Sequence, residues 1–160
     1  MPNAFAADKE ALQRGRAFFM NYCAGCHSLK YMRPPNQISM PPADARQWFG
    51  RMPPDLSLTA RARGPAWIRT YLTSFYPDAS RPFGANNTLM PDVAMPNVLW
   101  PLQVNSHLQD DLDDLSSFLV YVAEPASLIR YRLGLLVMAF LGVFGVLIWR
   151  LKILCWRNIC

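Results

Sequence analysis

Two cysteines and a histidine stand within one short stretch, Cys23-Ala24-Gly25-Cys26-His27, and no other pattern in the chain constrains its fold as tightly. C-x-x-C-H is the attachment signature of a c-type haem. The two thiols lie close enough to bond to the two vinyl groups of one porphyrin, and the adjacent imidazole faces the iron as proximal ligand. Such a chain must fold around a large macrocycle. Two other readings of a bare C-x-x-C fit less well. Zinc would need a second ligand pair, yet the remaining cysteines are Cys155 and Cys160, beyond a long apolar run. A thioredoxin-like pair needs βαβ context, whereas the residues before Cys23 read as helix.

That apolar run is the second constraint. Leu133 to Trp149 is 17 residues without a charge, roughly 25 Å of helix against a hydrocarbon core of about 30 Å. Its flanks supply the remainder. Arg132 and Arg150 can snorkel outward, Leu151, Ile153 and Leu154 extend the apolar face, and Tyr131, Trp149 and Trp156 suit the interfacial belts. The expectation is one transmembrane anchor over 128–152, with a short tail over 153–160 in the cytoplasm or matrix.

Charge placement supports this division. The formal charge is +5, but residues 1–129 hold 11 basic and 11 acidic side chains, and Arg130, Arg132, Arg150, Lys152 and Arg157 carry the whole excess. A phosphate-binding head would concentrate its cations on itself, so nucleic-acid binding is excluded. Covalent haem attachment is extracytoplasmic chemistry, which puts the head in the bacterial periplasm or mitochondrial intermembrane space. The opening Met-Pro-Asn-Ala-Phe-Ala-Ala-Asp has no basic start and no apolar h-region, but Ala4-Phe5-Ala6 has the small-x-small pattern of a cleavage site. Residues 1–6 read as a remnant of an export signal.

The head, 7–127, is expected to be mainly α. Asp8 to Tyr22 reads as a helix capped by Asp8, with Ala11, Leu12, Gly15, Phe18, Phe19 and Tyr22 at helical spacing. Asp44 to Phe49 and Pro65 to Phe75 read as further helices. Leu108 to Glu124 reads as the last, with Leu112, Leu115, Leu119 and Val122 on one face and Pro125 as its stop. Fourteen prolines make the connections rigid, and no segment alternates as a strand.

An iron that only carries electrons needs a second axial ligand. His107, the only other histidine, sits among polar residues and reads as a surface side chain. Met40, Met52, Met90 and Met95 each precede a proline, which favours an extended residue that presents its thioether from a rigid loop. Local pattern leaves these four open.

A helix entering C-x-x-C-H and a last helix closing the domain resemble the cytochrome c fold, in which Gly15 and Phe19 would cross Phe118 and Tyr121. Longer stretches carry a closer resemblance. These are Pro53-Pro54-Asp55-Leu56-Ser57, Arg61-Ala62-Arg63-Gly64, Tyr71-Leu72-Thr73-Ser74-Phe75-Tyr76, Val93-Ala94-Met95-Pro96-Asn97-Val98-Leu99-Trp100, and Glu124-Pro125-Ala126 leading through Arg130 into the span. Together they resemble the cytochrome c1 family, the c-haem subunits of ubiquinol:cytochrome c reductase, the cytochrome bc1 complex. The resemblance implies one covalent haem c on Cys23 and Cys26, with His27 and Met95 as axial ligands and Met90 as the fallback for the distal one. It further implies that Arg63 pairs with a haem propionate and that Pro54 and Trp67 contact the ring. The segments Arg33 to Ala43 and Tyr76 to Asn87 are short for the family, and Pro101 stands where an acidic residue is common.

The implied function is electron transfer within the respiratory chain. The Rieske iron–sulfur protein donates, a cytochrome c or cytochrome oxidase accepts, cytochrome b is a neighbouring subunit, and the complex is dimeric. The chain has no catalytic site of its own, because the cofactor does the chemistry. The acidic run Asp110-Asp111-Leu112-Asp113-Asp114 either steers a basic cytochrome or is a solvated helix N-terminus. The alternative is a membrane-anchored monohaem cytochrome serving a terminal oxidase or another respiratory partner. An open-iron enzyme or gas sensor would bind carbon monoxide, and a zinc module would show no haem.

Overall fold

The computed structural model describes residues 9–35 and 40–157, apart from the side chains of Ser127 and Leu128. Asp8, the 1–6 stretch and Cys160 lie outside the described residues. The chain divides into two units, one up to Pro125 and one from Ala126 onward.

In the first unit the apolar spacing of the first and last helices builds the core. Helix α1 (Lys9–Tyr22) buries Gly15, Phe18 and Phe19, and α5 (Leu108–Ala123) buries Leu112, Leu115, Phe118, Leu119 and Val122. The two cross where Gly15 meets the Asp114 backbone and the Phe118 Cβ, so a side chain at 15 would collide with both. Phe19 and Phe118 meet there with ring centroids 6.0 Å apart. Tyr121, also expected at this crossing, is half-exposed at 50 %. At about 100° per residue Tyr121 lies only about 60° from Phe118, on the side of Asp114, at the edge of the buried face.

Helices α2 (Pro42–Phe49), α3 (Thr59–Arg63) and α4 (Pro65–Thr73) fill the middle of the chain, and α3 and α4 also pack on α5. The sequence reading held no helix over α3, which at 5 residues is too short to show a period. It also held no strand, whereas the chain forms an antiparallel hairpin of β1 (Phe75–Pro77) and β2 (Ala85–Asn87), with Phe75 opposite Asn87. The expected helix over residues 65–75 therefore stops at Thr73, and Phe75 enters the hairpin. Side chains hold this hairpin where alternation does not. Asp78 accepts bonds from the Ser80 amide and hydroxyl and from Asn86 Nδ2, and Gly84, at φ 66°, closes the turn.

The second unit is one helix, α6 (Ser127–Arg157), long and apolar enough to cross a membrane, and its described side chains are exposed. At 31 residues it is about 46 Å long, so both ends reach beyond a 30 Å hydrocarbon core. A helix satisfies all its backbone groups internally, which a bilayer demands. Arg130 and Arg132 fall near one end; Arg150, Lys152 and Arg157 fall near the other, with Lys152 Nζ 5.8 Å from the Trp156 ring.

Candidate haem site

Helix α1 delivers the C-x-x-C-H motif as a tight turn. The Cys23 amide donates to Phe19 O at 2.8 Å, and the Cys26 and His27 amides both return to Cys23 O, at 3.0 and 2.8 Å. Both cysteines therefore belong to a single turn at a helix C-terminus, where the helix dipole disfavours thiolate. Burial, with the Cys26 charge adding to it, pushes the Cys23 thiol up to about 12. Burial raises Cys26 as well. A redox-active pair depends on a depressed thiol pKa, and both cysteines here shift the other way.

His27 is buried and held by one bond, its Nδ1 lying 2.8 Å from Pro54 O. Since a carbonyl only accepts, Nδ1 carries the proton and Nε2 keeps its lone pair. A metal-ligating histidine has this arrangement, its other ring N–H fixed by a backbone carbonyl. Burial lowers the His27 pKa, outweighing the Pro54 bond and the Asp55 charge that favour protonation, so the imidazole stays neutral. Asp55 laces the segment after His27 to the segment that carries Pro54. Its carboxylate accepts the Ser28 hydroxyl at 2.6 Å, the Lys30 amide at 3.0 Å and the Ser57 amide at 3.0 Å. Burial pushes this carboxyl up, but the bonds from Ser28, Ser57 and Lys30 outweigh it and hold Asp55 below its ordinary value.

These residues open onto a cavity of about 540 Å³ whose wall is mostly apolar. Cys23, Cys26 and His27 line it, and so do Pro54, Arg63, Trp67, Met90 and Met95. The structure thus brings together the full set of site residues named from the sequence. Met52 also lines the cavity. His107 does not; its side chain is 78 % exposed and 3.8 Å from Asp110. Cavity lining alone does not separate Met90 from Met95. Their surroundings do: Met90 is 42 % exposed, whereas Met95 is partly buried and its Sδ lies 3.7 Å from the Tyr71 hydroxyl. The Arg63 guanidinium lies 5.2 Å from the centroid of the Trp67 ring, which fixes a cation at the cavity wall.

Two contributors are absent from the sequence reading of the site. Asp55 acts through contacts made only in the folded chain, and nothing local announces them. Tyr71 had a legible signal: it stands four residues after Trp67 in a helix, hence on the same face.

The donor set fits a haem. An apolar cavity carries two neutral thiols and a neutral imidazole with Nε2 free, together with a thioether and a cation.

Comparison with known proteins agrees. The model of the Cytochrome C1 family matches residues 34–159. A cytochrome c1 of Allochromatium vinosum is 37 % identical over 209 residues, covering 95 % of this chain and 86 % of its own. The ammonia monooxygenase gamma subunit of Nitrosomonas europaea is 35 % identical, covering 96 % and 85 %. Among solved structures, a chain of a hyperthermophilic respiratory Complex III superposes with a TM-score of 0.62 at 18 % identity, over 94 % of this chain and 77 % of that one, which shows a shared fold.

Proposed function

Because this chain belongs to the cytochrome c1 family, we propose that it is the electron-transfer subunit of a cytochrome bc1 complex, anchored by α6 and carrying one covalent haem c. One observation supports this most strongly: His27 and Met95 line the same apolar cavity as the paired cysteines. When bound there, the haem supplies a one-electron iron couple, and the protein sets its potential, exposure and orientation.

The residues divide that work. Cys23 and Cys26 would tether the macrocycle through thioethers, so that it could not dissociate. His27 presents Nε2, its orientation fixed by Pro54 O and that carbonyl in turn by the Asp55 network. Met95 offers a neutral sulfur, which favours the ferrous state more than a second histidine would. Arg63, at the cavity wall, would pair with a propionate, and Pro54 and Trp67 would contact the ring. The mostly apolar wall reduces the polar surroundings that must reorganise when the charge changes.

No side chain is needed as acid, base or nucleophile. Electrons enter from the Rieske iron–sulfur protein and leave to a cytochrome c or to cytochrome oxidase, with cytochrome b as the membrane neighbour in a dimeric complex. The head stands in the periplasm, or its mitochondrial equivalent, and the residues after the span are cytoplasmic or in the matrix. Detergent extraction tests this. The chain should copurify with a cytochrome b and a Rieske protein identified by mass, and quinol should reduce its haem in that preparation. Isolation alone, or with a terminal oxidase, would overturn the assignment to this complex.

A further inference from the structure

The bond from Tyr71 to Met95 has an unusually well determined setting. A phenol donates and a thioether accepts, only weakly, so across the 3.7 Å contact the Tyr71 hydroxyl is the donor and Met95 Sδ the acceptor. The Tyr71 ring is held without that bond. It stacks on Trp67 at 5.1 Å and 12°, and meets Phe75 edge-on at 5.4 Å.

The loop that carries the sulfur is tied to the same helix. Asn87 is fully buried and donates from Nδ2 to Tyr71 O at 2.8 Å, while its Oδ1 accepts the amides of Leu89 at 2.9 Å and Met90 at 3.3 Å. Asn86 Oδ1 accepts the Asp92 amide at 3.0 Å, and Arg81 bonds Asp92 at 2.8 Å and Val93 O at 3.4 Å. The hairpin thus fixes the backbone that leads to Met95 relative to α4, and α4 fixes the donor.

We propose that Tyr71 is a positioning residue for the sulfur ligand: its hydroxyl engages one lone pair of Met95 and leaves the other for iron. This rests on the reading of Met95 as the distal ligand. A thioether that accepts a hydrogen bond is a poorer electron donor, and the ferric ion needs that donation more than the ferrous ion does. Tyr71 therefore favours the ferrous state and raises the potential.

The test is Tyr71→Phe in the full chain with haem attached, because phenylalanine keeps both ring contacts and removes only the hydroxyl. Its preference for the ferrous state should fall two- to tenfold, about 18 to 59 mV for a one-electron couple, and the sulfur-to-iron charge-transfer band should shift but persist. Tyr76→Phe, outside the cavity lining, should change neither. In a Met95→Leu background, which should itself lose the band, Tyr71→Phe should no longer move the potential. An unchanged potential in Tyr71→Phe, or an equal fall in both backgrounds, would overturn the proposal while leaving Met95 as ligand. Persistence of the band in Met95→Leu would overturn the ligand reading itself, and Tyr71's role with it.

Discussion

Replacing Gly15 with alanine tests the crossing on which the head is built. A Cβ at 15 would lie 2.6 Å from the Asp114 carbonyl carbon and 2.9 Å from Phe118 Cβ, closer still to the Asp114 oxygen. Neither partner is the far end of a flexible side chain, so α1 and α5 must separate. Overpacking of this kind costs about 3 kcal/mol at the top of its usual range. Alanine recovers about 1 kcal/mol in helix propensity. The net loss is about 2 kcal/mol, which for a head of about 120 residues is roughly 8 °C in Tm. The ion pair between Arg14 and Asp114 at the same crossing is exposed on the arginine side and changes this little. Thermal unfolding of the haem-loaded head, followed by circular dichroism, reads the effect. Gln13→Ala, on the exposed face of α1, is the control and should stay within about 0.5 kcal/mol of the parent. A Gly15→Ala variant as stable as the parent would refute the claimed close approach of α1 and α5.

Other consequences are equally concrete. Met95→Leu keeps apolar bulk but removes the sulfur, so the reduced protein should bind carbon monoxide, whereas Met90→Leu should not; difference spectra decide, and the reverse result would move the distal ligand to Met90. A chain ending at Ala126 should be soluble and retain a c-type spectrum when exported to a haem-attaching compartment, and aggregation without haem would contradict the division into two units. Asp55 has a depressed pKa in the folded state, so its stabilising effect is present above the ordinary carboxylate value of 3.8 and is lost as pH falls through the lower folded value. The stability gap between the parent and Asp55→Asn should accordingly be full at pH 7 and narrow below pH 3.8, as read by acid titration of the near-ultraviolet signal; a pH-independent gap would refute the network's dependence on charge.

What could be read in advance followed from periodicity and from motifs that need no tertiary context. Leu112, Leu115, Leu119 and Val122 announce the buried face of α5 because helix spacing alone aligns them, and Gly15 with Phe19 does the same for α1. C-x-x-C-H and the uncharged run before Trp149 are local signals of comparable strength. The hairpin escaped for a physical reason. Its 3-residue strands include Pro77 and the pair Asn86-Asn87, with no alternation to detect, and side-chain bonds from Asp78 and Asn86 stand in for a long ladder. Among the site residues, the resemblance singled out Met95 from four Met-Pro pairs that local pattern could not rank. Asp55 bonds across 27 residues to Ser28 and across 25 to Lys30, and Tyr71 across 24 residues to Met95, and such contacts exist only after folding.

The central claim is that Cys23 and Cys26 hold one haem covalently. Intact-mass measurement of the purified chain under denaturing conditions, paired with haem staining after electrophoresis, tests it most directly. The account predicts a mass increase of one haem per chain that survives denaturation, is lost in Cys23→Ser/Cys26→Ser and is unaffected by Cys155→Ser. A chain without haem that carries zinc, or one whose haem depends on Cys155, would contradict it.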